Sequence, residues 1–130
     1  MKFLFLIFLI SIQNLFAQQI IGSWKGEVNY EGTVIPIIFN IEKVKDFYKS
    51  TTDSPLQQIE GIPADKTTFE NKELSIEIKS IGAVYKGQLE NQKINGTLTQ
   101  AGVSLPLILL PYKKPVKVAS KEIITLPENL

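Results

Sequence analysis

The chain has 130 residues, a formal net charge of +1, no cysteine and no histidine, and all of its basic residues are lysines. These absences exclude disulfides, Cys/His zinc sites, a Ser-His-Asp triad and any histidine general base. A near-neutral chain without guanidinium groups is also poorly suited to nucleic acid, and its composition implies no cofactor.

Residues 1–17 read as a secretory signal. Lys2 supplies the positive start, Phe3 to Ile12 is almost wholly apolar, and the small Ala17 precedes Gln18. The rival reading is an uncleaved anchor. However, Ser11, Gln13 and Asn14 interrupt the apolar run, which is shorter than the roughly 20 residues a membrane span needs. No cysteine follows the cut to carry a lipid. The expectation is an exported protein, periplasmic or secreted, with no stable membrane anchor after cleavage. Residues 18–110 then form one domain and 111–130 a tail or linker.

From Gly22 onward, short apolar pieces rich in Ile, Val, Thr, Phe and Tyr alternate with turn residues, and no helical periodicity is sustained. Gly22 to Tyr30 alternates, with Trp24, Gly26, Val28 and Tyr30 on one face. Glu31-Gly32 turns the chain into Thr33 to Lys43, with Ile35, Ile37, Phe39 and Ile41 on one face. Pro36 interrupts the ladder there and predicts a sheet edge or bulge. Phe47 to Thr52 is a short strand. Asp53 to Pro63 is the least strand-like part, with a turn at Asp53-Ser54-Pro55 and a short strand over Ile59 to Ile62. Strands follow over Lys66 to Glu70, Glu73 to Lys79, Ala83 to Leu89, Lys93 to Thr99 and Val103 to Leu110. The turns between them fall at Asn71-Lys72, Ile81-Gly82, Asn91-Gln92 and Ala101-Gly102.

Eight or nine strands with such short connections pair in sequence as an antiparallel meander. Closure into a barrel removes the exposed edges. The expected fold is therefore all-β: an antiparallel up-and-down barrel of about eight strands, lipocalin-like in outline, with a two-sheet sandwich as the alternative. Two internal echoes accompany this reading. Trp24-Lys25-Gly26-Glu27-Val28 parallels Tyr85-Lys86-Gly87-Gln88-Leu89, and Gly32-Thr33-Val34-Ile35-Pro36-Ile37 parallels Gly102-Val103-Ser104-Leu105-Pro106-Leu107. Chance similarity between short strands and a true pseudo-repeat both explain them. Gly26 and Gly87 lie within strands, where glycine marks a bulge, a bend or close approach.

The ordered set Ile21-Gly22-x-Trp24-x-Gly26, Pro36-Ile37, Asp53-Ser54-Pro55-x-Gln57, Gly61-Ile62-Pro63, Tyr85-x-Gly87 and Ile94-x-Gly96-x-x-x-Gln100-x-Gly102-x-x-Leu105-Pro106-Leu107 resembles a β-rich module. That module precedes the catalytic domain in exported α/β-hydrolases of Bacteroidota-type bacteria. The resemblance spans Ile20 to Leu109 and implies an accessory barrel. Leu98 departs from it, since the module commonly has an aromatic residue there. These 130 residues contain neither a Gly-x-Ser-x-Gly elbow nor a histidine, so the resemblance does not extend to hydrolysis.

Six residues are candidates for meeting a ligand or partner: Asp53, Ser54, Gln57, Gln100, Trp24 and Tyr85. Asp53, Ser54 and Gln57 form a polar loop cluster suited to a barrel mouth. The competing reading is a turn in which Asp53 bonds nearby backbone amides. Ser54 has no base to take its proton, so no catalytic residue is expected. Trp24 and Tyr85 either wall a ligand cavity or plug the core. Gln100 either bridges to the 53–57 loop or is solvated. The expected function is a non-catalytic exported module that docks to another exported protein. The alternative is a carrier of a small apolar ligand, which needs a cavity of about 300 Å³ or more.

Overall fold

The computed structural model describes residues 20–115. The signal segment 1–17 and most of the 111–130 tail lie outside the described residues. The strands are β1 (Gly22–Tyr30), β2 (Thr33–Val44), β3 (Phe47–Ser54), β4 (Ile59–Pro63), β5 (Lys66–Glu70), β6 (Glu73–Ile78), β7 (Ala83–Glu90), β8 (Lys93–Gln100) and β9 (Val103–Tyr112). Short 3-10 turns at Pro55–Gln57 and Lys79–Ile81 interrupt the meander. All the pairings are antiparallel, and the sheet closes into an eight-stranded barrel with β4 as an extra strand.

Closure comes from two places. At one, β1 pairs with β9 through Lys25↔Leu110, Trp24↔Pro111 and Ser23↔Tyr112. At the other, β4 and β5 follow one another along the same edge of β3. β4 faces Thr51, Thr52 and Ser54, the Ala64 N–H donates to the Ser50 carbonyl at 2.9 Å, and β5 meets β3 at Tyr48↔Thr67. Inside this seam the Ser50 and Thr67 hydroxyls share a hydrogen bond of 2.7 Å.

Five two-residue hairpins keep the register tight, and four of them share one geometry. Glu31-Gly32, Asn71-Lys72, Asn91-Gln92 and Ala101-Gly102 all have both central residues at positive φ. That is the turn whose twist matches paired strands. Pro36 lies in the half of β2 that only β1 covers, because β3 joins β2 from Ile38 onward. Pro106 likewise lies where β9 has β8 as its paired neighbour, β1 joining from Leu110. The two Gly-to-Pro echoes therefore do the same job: a glycine closes a hairpin, then a proline sits where a ladder bond is dispensable.

The core is one cluster inside the barrel. Phe39, Leu74, Ile76, Tyr85, Ile94, Leu107 and Leu109 are fully buried, and Ile20, Trp24, Val28 and Leu89 extend it. At Gly26 a methyl group would lie 2.1 Å from the Ile108 carbonyl oxygen. β1 passes that close to β9 because position 26 has no side chain.

Most strands end a residue or two away from the sequence-based expectation, and three differences bear on the site and the tail. β3 runs on through Asp53 and Ser54, which were expected in a turn. β4 includes Pro63. β9 continues to Tyr112, two residues into the expected tail, because Pro111 and Tyr112 pair with β1. Proline is compatible with that terminal position, where the ladder is ending.

Candidate functional site

The six candidate residues separate into three places. Trp24 is 4% exposed and its indole Nε1 donates to the Ile20 carbonyl at 2.9 Å. It belongs to the core cluster, and Ile20 lies over it. Tyr85 is fully buried, with its ring centroid 5.2 Å from that of Phe39 and tilted by 36°. Its hydroxyl donates to the Leu107 carbonyl at 2.9 Å, and burial pushes the phenol well above its ordinary pKa of 10. Gly87 and Gly96, paired across β7 and β8, form the bed for this ring. A methyl group on either would lie within 2.7 Å of the Tyr85 hydroxyl oxygen. Of the two readings for these aromatics, the structure gives the core plug.

Ser54, Gln57 and Gln100 come together at the barrel mouth. All three line a pocket of about 130 Å³, with Phe39 at its floor and Ile62, Ile78 and Leu98 on its walls. A second hollow of about 310 Å³ shares Ile37, Gln57, Leu98 and Gln100 with the first and opens past Tyr30 and Val103. The Ser54 hydroxyl donates to Gln57 Oε1 at 2.7 Å. Gln100 does not bond to the 53–57 segment: its Nε2 donates to the Ile81 carbonyl at 3.0 Å, tying β8 to the 3-10 turn before β7.

Asp53 faces the opposite way. Strand alternation puts Ser50, Thr52 and Ser54 inside and Thr51 and Asp53 outside. Asp53 pairs with Ile38 on the outer face of β2 and is nonetheless 3% exposed. Its Oδ1 accepts from the Gly61 N–H at 2.7 Å, and its Oδ2 accepts from Asn40 Nδ2 at 2.9 Å and Lys114 Nζ at 3.0 Å. The expected local turn bond is replaced by a staple across the whole 53–61 excursion. Lys114 Nζ also lies 3.7 Å from Glu60. The chain after β9 is therefore fastened to the outer wall rather than leaving the domain at residue 110.

Burial alone would raise the Asp53 pKa. The bonds from Asn40, Gly61 and Lys114, together with the Lys114 charge, outweigh it and hold the carboxyl below its ordinary value of 3.8. A depressed carboxylate pKa stabilises the fold above the unfolded value, and that stability is lost as pH falls through the folded one. Asp53→Asn is expected to lower stability at pH 7 by about 1–3 kcal/mol. The gap between native and variant should narrow below about pH 4. Thermal unfolding of both proteins across pH 3–7 checks this, and a gap constant with pH would refute it.

Sequence reading missed Thr52, Asn40 and Lys114. Thr52 was hidden because Phe47 to Ser54 carries no apolar alternation to say which side faces inward. Lys114 was hidden because its partner lies 61 positions away. Among the described residues there is no cluster of acidic side chains able to hold a metal ion, and no helix long and apolar enough to cross a membrane. No family model matches the chain, and no curated protein does.

Proposed function

We propose that the protein is a non-catalytic, exported binding module that docks to another exported protein, in the manner of the barrel that precedes exported α/β-hydrolases. The observation that carries this reading is how the barrel is filled. Tyr85 and Phe39 occupy its centre with the Ile and Leu rows around them, and the pocket left above them is about 130 Å³. A carrier of lipocalin type encloses its cargo in about 300 Å³ or more. The hollows that reach that volume, of about 310, 410 and 950 Å³, open to solvent rather than enclosing a cargo, and the first of them is the vestibule beside the pocket. Tyr30 and Val103, which line the vestibule, are exposed large apolar residues and suit the apolar core of a protein contact. Ser54 donates to a glutamine rather than to a base, which leaves its hydroxyl without activation.

Native mass spectrometry of the protein isolated gently from its own host tests this. The expected result is a complex of fixed stoichiometry with one exported protein. A stoichiometric adduct of long-chain lipid size would overturn the docking reading in favour of the carrier.

A further inference from the structure

The inward row of β3 is polar: Ser50, Thr52 and Ser54 point into an otherwise apolar barrel and are each about 5% exposed or less. Two of these hydroxyls are partnered, Ser50 with Thr67 and Ser54 with Gln57. The middle one, Thr52 Oγ1, is buried without a hydrogen-bond partner among the described residues, and Thr52 lines the pocket at the mouth. An unpaired buried hydroxyl is costly and calls for an explanation. Its residue lines the pocket, but the hydroxyl itself has almost no accessible surface, so a head group reaches it only with a small local shift of the lining.

The surroundings specify what would satisfy it. No Asp, Glu or Lys lines either the inner pocket or the vestibule. An ionised ligand group would lose its hydration there without gaining a counter-charge. The polar groups at the junction are instead neutral and held in place. Gln57 accepts from Ser54 through Oε1, which leaves Nε2 to donate. Gln100 donates to Ile81 through Nε2, which leaves Oε1 to accept. Thr52 can do either. A donor, an acceptor and a hydroxyl beside Ile62, Ile78 and Leu98 match a neutral head group with an aliphatic body.

We infer that the barrel mouth is a binding site for a small uncharged molecule bearing an amide or hydroxyl head on a short aliphatic chain, with Thr52, Gln57 and Gln100 as its polar contacts. This goes beyond the docking reading and does not depend on it. A short neutral ligand fits a site too small for lipid cargo, and a protein partner need not enter the pocket.

The probes are hexanamide and hexanoate, which share a chain length and differ in head-group charge. Each is titrated into the isotope-labelled protein at pH 7 and followed by the backbone amide shifts of Thr52, Gln57, Leu98 and Gln100. Hexanamide should shift these signals saturably, and hexanoate should bind at least about tenfold more weakly. Thr52→Val keeps the side-chain shape and should weaken hexanamide about three- to tenfold. Removing the orphan hydroxyl should leave the unfolding temperature unchanged or raised, so loss of binding cannot be ascribed to loss of fold. The inference is overturned if hexanoate binds as well as hexanamide, if neither gives a saturable shift, or if Thr52→Val leaves hexanamide affinity unchanged. None of these readouts involves a protein partner, so they fail or succeed independently of the docking proposal.

Discussion

Tyr85→Ala is expected to destabilise the barrel by about 3–5 kcal/mol, the range for removing a large buried aromatic side chain. The ring is fully buried, stacks at a tilt on Phe39 and lies over Gly87 and Gly96. Its removal leaves a hole bounded on one side by two residues without side chains. The Leu107 carbonyl also loses its donor. Tyr85→Phe keeps the packing and removes only that bond, and should cost about 1 kcal/mol. Gly96→Ala tests the same contact from below. The new methyl group would lie 2.5 Å from the Lys86 carbonyl oxygen, on the backbone, as well as against the ring. It should cost about 1–3 kcal/mol or more by overpacking. Urea unfolding of the four proteins measures all three differences. An alanine variant within 1 kcal/mol of native would mean that the ring is not the central plug.

Trp24→Ala should be comparably severe, again about 3–5 kcal/mol, for a different reason. The indole lies where β1 pairs with both β2 and β9, through Phe39 and Pro111. Its Nε1 holds Ile20 across the barrel end, so the substitution removes core volume and releases the segment that covers it. Trp24 is the sole tryptophan, so its fluorescence reports native unfolding, while the variant must be followed by circular dichroism. Trp24→Phe retains most of the volume and should recover more than half of the loss. A Trp24→Ala protein as stable as native but altered in binding would move Trp24 from the core to the site.

The second prediction rests on a strand whose facing was legible before the fold was known. Leu74, Ile76 and Ile78 alternate strictly and are all buried, and Trp24 and Val28 do the same on β1. Where polar and apolar residues alternate, a register slip of one residue would expose the whole apolar row, so the facing is set locally. The parallel between Trp24-Lys25-Gly26 and Tyr85-Lys86-Gly87 was equally readable. In both, an aromatic plug is followed two residues later by a glycine that another group approaches closely. In β1 that neighbour is the β9 backbone. In β7 it is the tyrosine itself and Ile94.

The candidate site was only half legible. Ser54, Gln57 and Gln100 were singled out and do share the mouth. Asp53, adjacent to Ser54, was grouped with them and lies on the outer wall, because in a strand neighbouring side chains point to opposite faces. Reading residues 53–57 as a single loop concealed that division. Thr52 was overlooked because a strand of Tyr, Lys, Ser, Thr and Asp has no local hydrophobic preference for either side. β3 takes its facing from pairing with β2, where Thr52 meets Phe39 and Asp53 meets Ile38.

The sequence by itself determined the all-β class, the hairpin turns, the proline positions and the want of cysteine and histidine chemistry. Each follows from residues within a few positions of one another, or from composition. The tertiary structure alone decided that the barrel centre is filled by Tyr85, that β3 turns its hydroxyls inward, that Thr52 is left unpaired at the mouth and that Lys114 fastens the chain to Asp53. Those outcomes depend on contacts between residues far apart along the chain, such as Tyr85 with Leu107 and Asp53 with Lys114. Local propensity carries no information about such contacts until closure of the sheet brings the partners together.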